Sequence, residues 1–347
     1  MRELATVQKI GKIEPIEGAD RIELAHVLGW QCVVNKGQFH PMDLAVYFEI
    51  DSFLPVRPEF EFLRDSSFRK SEVLGEGFRL KTMRFRGMIS QGLLLPVSSF
   101  PEIPEDAEPG MNVSELLGVR KWEVLEKATA GGTMKRDLPA DVPHTDEKRI
   151  QAKPGLLQDF AGLEYYITTK LDGSSHSVSL DEEGFHVTSH NFELEDDGKS
   201  SFYKLVRRDH IEEGVRKFYE ENGLRLLTIQ GELCAPNIQK NRLKLTRPEW
   251  YVFTVRENGK RVGLKRMQEV CEAIGLNMVP VEEIGMDLPS KYPTVDDMLK
   301  RAEGDYPRGG KKEGIVVRPT EPVYCQRIFT DLSMKVVNNQ YLLKNEK

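Results

Sequence analysis

The sequence predicts an α+β fold: a small antiparallel, OB-like β-barrel first, then a larger domain of antiparallel sheets with flanking helices. Three observations carry that expectation. Short apolar-alternating segments separated by turn signals fill the first part of the chain, with little helical periodicity. A stretch rich in proline and glycine then interrupts the pattern. Beyond it, strand-like runs recur with a few helical segments set between them, without strict β–α alternation.

In chain order, "ELATVQKIGKIEPI" and "RIELAHVLGWQCVV" read as strands, and "DLAVYFEIDSFL" alternates apolar residues at Leu44, Val46, Phe48 and Ile50. Turn signals lie between them at Glu17–Asp20, Asn35–Gln38 and His40–Asp43. "FRLKTMRFRGM" interleaves Arg79, Lys81, Arg84 and Arg86 with apolar residues; the parity of the cations changes midway, so a bulge or turn must intervene if all four meet one ligand. A Pro-rich loop follows at Pro96–Gly110, then a short helix is expected around Val113–Ala128. "TAGGTMKRDLPADVPHT" reads as a linker. The expected division is therefore residues 1–128, barrel with extension; 129–145, linker; and 146–347, a second domain.

Within the second domain, strands are expected at Glu164–Lys170, Ser175–Leu180, Phe185–His190, Leu226–Cys234, Trp250–Val255, Gly314–Arg318 and Ser333–Val337. One helix is expected from a Ser200 N-cap to a stop at Gly223, and another from Thr294, with Asp297 in capping-box spacing, to Gly304.

The 347 residues are ample for two packed domains, and 39% hydrophobic with 30% charged residues fits a globular chain. No apolar run approaches a membrane span, and the N-terminus has no apolar signal segment. Cys32, Cys234, Cys271 and Cys325 are scattered singly, which points to a reducing cytosol or nucleus. A net charge of −6 argues against non-specific coating of nucleic acid. Three local basic clusters, "FRLKTMRFRGM", "KNRLKLTR" and "RGGKKEG", nevertheless invite a phosphate-rich ligand. The common phosphate loops GxxxxGK[ST] and GxGxxG are absent.

The chemistry-bearing signal is a set of strand ends. Lys170 closes an apolar strand and precedes Asp172-Gly173, which taken locally is a hairpin turn beside a solvated lysine. Yet Glu232 sits on an otherwise apolar strand, Glu313 precedes a β-branched run ending in Arg318, Phe253 centres an aromatic strand and Lys335 lies inside another. Burying one such charge beside a sheet is costly unless it is paired or metal-bound. A chain that repeats this cost at Lys170, Asp172, Glu232, Glu313 and Lys335 is assembling one site.

The order "KLDG" (Lys170–Gly173), "SHN" (Ser189–Asn191), "GEL" (Gly231–Leu233), "WYVFTV", "EGIVVR" and "MKVVN" resembles the motif series of the covalent nucleotidyltransferases, which comprise ATP-dependent DNA and RNA ligases and capping guanylyltransferases. With the barrel-like region placed first, and with "IEPIEGADRIELA", "VYFEIDSFLP", "DEKRIQ" and "SMKVVNNQYLLK", the chain is similar over nearly its whole length to the Naegleria-type RNA ligases. Two positions depart from the pattern: His190 stands where related ligases commonly have arginine beside Asn191, and Ser333 where several have the first lysine of a pair completed by Lys335.

The resemblance implies an intracellular, monomeric RNA ligase that seals 3′-OH and 5′-phosphate ends, or nicked duplexes, using ATP and Mg²⁺ or Mn²⁺. It implies Lys170 as nucleophile and Lys335 as stabiliser of the α-phosphate. Asp172, Glu232 and Glu313 would hold the metal, through its waters or directly. Phe253 would stack on adenine, and Arg149, Gln151, Asn191 and Arg318 would contact nucleotide or RNA phosphate. The chemistry suits those roles. Lysine's reference pKa is about 10.4, so only roughly 0.04% is a free amine at pH 7. A neighbouring carboxylate worsens this, whereas a divalent cation held by carboxylates favours the amine. A GTP-dependent capping guanylyltransferase shares the covalent lysine but usually carries its OB domain second. A nucleic-acid-binding protein with a decayed catalytic domain would have lost acids that are all present here.

Overall fold

The computed structural model describes residues 2–122 and 132–345. The end of the expected helix and the start of the expected linker fall in 123–131, outside the described residues. The chain divides into two compact units, Met1–Glu126 with Leu342–Lys347, and Lys127–Tyr341.

The first unit is built from short antiparallel strands. Ala5–Lys9 and Leu93–Pro96 flank Leu44–Phe48; Ile13–Pro15, Ile22–Val27 and Trp30–Asn35 form a meander; Ser52–Pro55 pairs with Gly75–Arg79 and Arg120–Lys121. Their inward side chains, among them Val7, Val46, Phe48, Leu54 and Phe78, make one core with Phe100, which lies just beyond Leu93–Pro96. The alternation expected at Leu44–Ile50 is not realised. Leu44 is exposed while Ala45, Val46, Tyr47 and Phe48 are all buried, because this central strand is covered on both faces. The expected helix is also absent from the described part of its range. Val113–Gly118 makes a single turn closed by Leu117 N–H to Val113 O (3.0 Å), Gly118 takes a left-handed φ of +66°, and Arg120–Lys121 continues as a strand.

The change of parity among the cations has a structural cause. Arg79 ends one strand and places its guanidinium 5.1 Å from the Trp122 ring. Thr82–Phe85 and Met88–Gln91 form a hairpin whose two-residue turn, Arg86 (φ +47°) and Gly87 (φ +85°), uses the positive φ that such turns demand. Arg84, Phe85 and Arg86 are all exposed on it.

Among the described residues the second unit contains a two-stranded ribbon, Tyr324–Cys325 with Thr330–Asp331, and two large sheets. The smaller runs in the order Val281–Met286, Glu164–Lys170, Gly314–Pro319 and Met334–Val337, all antiparallel. The larger runs Met134–Asp137, Phe192–Leu194, Phe185–Thr188, Ser174–Leu180, Leu227–Cys234, Glu249–Glu257 and Lys260–Arg261, with Asn277–Met278 parallel to Glu249–Glu257. Each sheet has its own core: Val178, Phe202, Ile229 and Trp250 under the larger, Ile150, Tyr165, Ile167 and Met334 under the smaller.

Part of the expected linker is thus an edge strand. Met134–Asp137 is fastened by Lys135 (2.7 Å) and Arg136 (2.5 Å) to Glu193, a carboxylate 1% exposed. Burial opposes its charge, but Lys135, Arg136 and His186 outweigh burial and hold its pKa down to about 2. The expected Ser200–Gly223 helix is two helices, Ser201–Arg208 and Ile211–Glu221, because His210 adopts φ +51° between them. Ser200 caps the first, accepting from Phe202 and Tyr203 N–H (3.2 Å each), and Thr294 with Asp297 forms the expected capping box on Val295–Arg301. All four cysteines are buried and free, and no described helix is long and apolar enough to cross a membrane.

Candidate active site

Lys170 and Asp172-Gly173 do not form a hairpin. The strand ending at Lys170 belongs to the smaller sheet and the strand beginning at Ser174 to the larger one, so the Leu171–Gly173 segment crosses from sheet to sheet. Gly173 is required by close approach. A Cβ there would lie 2.4 Å from Leu233 O and 2.9 Å from Glu232 Cγ. The Gly173 N–H donates to Glu232 Oε1 (3.0 Å), which docks the crossing on the neighbouring strand. A rigid strand end in each sheet therefore flanks the lysine.

A cleft at this crossing is lined by Lys170, Glu232, Phe253, Arg318 and Lys335, together with Thr145, Asp146, Glu147 and His190. Lys170 Nζ donates to Glu313 Oε2 at 2.8 Å, both side chains being partly exposed. Burial alone would favour the neutral amine. The charges of Glu313 and Glu232, the hydrogen bond to Glu313 and the charge of Asp172 outweigh it and raise the lysine's pKa above its ordinary value. The nucleophile candidate rests as an ammonium. Glu232 shows the complementary imbalance: burial raises its pKa, Lys170 opposes, Glu313 adds repulsion, and the carboxyl is pushed up to about 7. Negative charge is in surplus here.

Asp172 is placed differently. It is 6% exposed, does not line the cleft, and its two oxygens accept from Arg242 Nε (2.6 Å) and Tyr341 Oη (2.7 Å). Among the described residues no three carboxylates, histidines or cysteines converge as a direct metal cage. An ionised carboxylate offers about four acceptor positions, so Asp172 keeps capacity for a hydrogen bond from a metal-bound water.

The other expected contacts separate into two groups. Phe253 is half-buried in the cleft wall, its ring centroid 6.0 Å from the Arg318 guanidinium carbon. Lys335 is also in the wall, and its backbone bridges Arg149: Lys335 N–H donates to Lys148 O (2.8 Å) and Ile150 N–H to Lys335 O (3.1 Å). Gln151 is fully buried with neither amide atom hydrogen-bonded. Arg318, by contrast, is 7% exposed and committed within the fold. It donates to Glu147 (2.5 Å), Thr254 Oγ1 (3.1 Å), Ser333 Oγ (3.2 Å) and the Phe253 carbonyl. Burial alone would lower its pKa, but Glu147 and Tyr166 outweigh it and raise the value further. Asn191 is exposed in the Ser189–Phe192 turn and does not line the cleft, whereas His190 does, 3.5 Å from Asp146 and 3.4 Å from Thr145 Oγ1.

Both departures from the motif pattern acquire a setting. Ser333 is an acceptor for buried Arg318, a position where a lysine would add like charge. His190 rather than Asn191 faces the cleft. The sequence pointed weakly to Glu147, which lies inside "DEKRIQ", to Tyr341, which lies inside "SMKVVNNQYLLK", and to Arg242, which lies inside a basic cluster; Tyr306 carried no signal.

The RNA ligase family model matches residues 163–337 and an OB-fold domain model matches residues 4–97. Naegleria gruberi RNA ligase with PPi is 30% identical at a TM-score of 0.89, covering 100% of this chain and 99% of that one. A mutant of that ligase with ATP and Mn is 30% identical at 0.89, covering 100% of each chain. Another mutant, with AMP and Mn, is 30% identical at 0.89 and covers 99% of each. No curated relative matches. The fold is that of a ligase: an OB-fold domain is followed by a ligase domain, and the chain belongs to the RNA ligase family.

Proposed function

We propose that this chain is an ATP-dependent RNA ligase that joins a 3′-OH to a 5′-phosphate through a Lys170–AMP intermediate, in RNA repair. The observation that carries the reading is the Lys170 ammonium at a sheet-to-sheet crossing, 2.8 Å from Glu313 and sharing its cleft with Glu232, Phe253 and Lys335. In the first step the lysine loses a proton, and its nitrogen lone pair attacks the ATP α-phosphorus. A P–N bond forms, the α–β P–O bond breaks and pyrophosphate departs. In the second step an RNA 5′-phosphate oxygen attacks the same phosphorus and frees the lysine. In the third the 3′-OH attacks that 5′-phosphate, its proton is lost and AMP departs.

Glu232 fits a hydrated Mg²⁺ or Mn²⁺ because its charge is under-compensated, Glu313 because its carboxylate meets the same Lys170 amine at 2.8 Å, and Asp172 as an acceptor for one of the ion's waters. Such an ion would offset the carboxylates that hold the lysine protonated and would neutralise charge on the α-phosphate. Phe253 offers a face for adenine, Gln151 one side-chain amide whose nitrogen and oxygen both lack a hydrogen-bond partner, and Lys335 a cation for charge building at phosphorus. Arg149 is tied through the backbone to Lys335, and Arg318, itself in the cleft lining, donates to the Phe253 carbonyl.

The proposed division of labour gives residues 146–347 the covalent chemistry and the N-terminal OB domain the RNA. All residues of the site come from one unit, which suits a monomer; sedimentation equilibrium checks that. Four buried free thiols suit a reducing intracellular setting. The test is incubation with α-labelled ATP or GTP and a divalent metal, followed by a denaturing gel. The reading expects a labelled protein with ATP, lost in Lys170→Ala and Lys170→Arg, since a guanidinium offers no amine lone pair at neutral pH. A GTP-specific adduct, no adduct, or an adduct retained by the Lys170 variants overturns it.

A further inference from the structure

The loop Gln239–Arg247 contains the cluster "KNRLKLTR" (Lys240–Arg247), whose cations read as a solvated patch or a phosphate site. The structure turns one of them inward. Arg242 is 12% exposed at its side chain and donates through Nε to Asp172 Oδ2 at 2.6 Å. Its guanidinium carbon also lies 4.9 Å from the ring centroid of Tyr341, whose hydroxyl donates to the other Asp172 oxygen at 2.7 Å. Gln239 Nε2 reaches Gly173 O (3.3 Å) from the same loop. Tyr306 Oη donates to Lys170 O (2.8 Å) and accepts from Glu313 N–H (3.1 Å). Backbone carbonyls of Lys170 and Gly173 and both oxygens of Asp172 are thus gripped from outside the crossing.

The loop's own geometry is costly. Gln239 (φ +50°), Asn241 (φ +43°) and Lys244 (φ +51°) are non-glycine residues in the left-handed region, three within six positions. Asn241 braces the turn in both directions, accepting from Leu245 N–H (2.8 Å) and donating to Leu245 O (2.9 Å). Strain of this kind persists only where surrounding contacts over-determine the backbone, and here the grip on the crossing is such a set of contacts.

We propose that Arg242, with Tyr341, is a positioning residue for lysine adenylylation: the pair fixes Asp172, and through it the three-residue crossing that aims Lys170. This rests on the reading of Lys170 as the nucleophile. Neither residue lines the cleft, so their effect falls on the rate of the chemical step rather than on ATP binding.

The test uses the full-length chain in single-turnover labelling with ATP and Mg²⁺. Arg242→Gln lowers the rate at saturating ATP by about 10–100-fold, the range found for partners that orient a reacting group's neighbours, with the ATP concentration for half-maximal rate nearly unchanged. Arg242→Lys, which keeps charge and one donor, recovers part of the rate. Combining Arg242→Gln with Asp172→Asn costs no more than the worse single variant, because both break one link. Tyr341→Phe keeps the ring and removes one hydrogen bond, so it decides the matter if Arg242→Gln fails to fold; it lowers the rate while the melting temperature stays close to wild type. A wild-type rate in Tyr341→Phe, additive losses in the double variant, or a defect confined to RNA binding overturns the proposal. Absence of labelling in the wild-type chain would instead remove the reading beneath it.

Discussion

The two flanks of Lys170 carry acids of opposite fates. On one, Asp172 is closed by Arg242 and Tyr341, each of its oxygens hydrogen-bonded within the fold. On the other, Glu232 and Glu313 face Lys170 with too little positive charge, and burial and mutual repulsion push the Glu232 carboxyl up to about 7. A carboxylate is spent on architecture on one side and left short of positive charge on the other. The contrast teaches that a charged motif residue must be judged by what already satisfies it. It recurs in the OB-fold domain, where Arg79 stacks near Trp122 while Arg84 and Arg86 stand exposed on their hairpin.

The contrast can be broken at several points. The largest effect is expected at the lysine between the flanks. Lys170→Ala should abolish labelling by ATP and overall sealing, yet leave some sealing of a pre-adenylylated strand, because only the first two steps need the amine. A strand-joining assay with both substrates checks this.

Next come the two acids beside the lysine, Glu232 and Glu313. Glu232→Gln and Glu313→Gln should each slow labelling by about 10²–10³-fold, the usual cost of one preorganised electrostatic group. Part of the loss should respond to metal identity or concentration. Stability should move the other way for Glu232→Gln. In the metal-free fold its carboxyl binds a proton up to about pH 7, whereas an unfolded glutamate releases it near 4.5. Between those values the native state holds more protons, so ionisation of Glu232 costs stability as pH rises from about 4.5 to 7. Glu232→Gln should flatten that decline and melt a few degrees higher at pH 8, on the order of 2–4 °C per kcal/mol recovered. Calorimetry across pH in chelator is the measurement, and an unchanged profile would mean the carboxylate is already compensated.

Phe253→Ala should raise the ATP requirement for labelling by about 5- to 150-fold, from the 1–3 kcal/mol typical of base stacking. The smallest effect is expected from neutralising Arg84 and Arg86 together. RNA binding should lose about two units of salt slope while labelling by ATP stays intact. Binding titrations at several salt concentrations resolve it.

Much of this was legible in the sequence, for identifiable reasons. The strand from Glu164 to Lys170, the Ser200 cap and the Thr294–Asp297 capping box depend on local pattern, and the structure has each of them. Placement of Lys170, Glu232, Phe253 and Lys335 in one cleft follows from strand ends that share a motif order. What could not be read is non-local. Asp172-Gly173 carries a hairpin's local chemistry, but which sheet each strand joins is settled by partners far along the chain. Whether Arg318 is a ligand contact or a buried strut depends on Glu147 and Ser333, distant in sequence. The inward turn of Arg242 depends on three left-handed residues that composition does not announce. The Ser200–Gly223 pattern was helical throughout, and only the αL conformation at His210 divides it.

The edge strand Met134–Asp137 has a practical consequence for anyone dissecting the enzyme. A catalytic fragment begun near Ala140 would still contain every residue assigned to ATP chemistry. It would also expose the backbone edge of Phe192–Leu194 and strip Lys135 and Arg136 from a carboxylate only 1% exposed. Unpaired sheet edges recruit other chains, so such a fragment should aggregate on a sizing column while one begun at Gly132 runs as a discrete species. The shortest soluble adenylyltransferase is therefore set by a strand that takes no part in adenylylation.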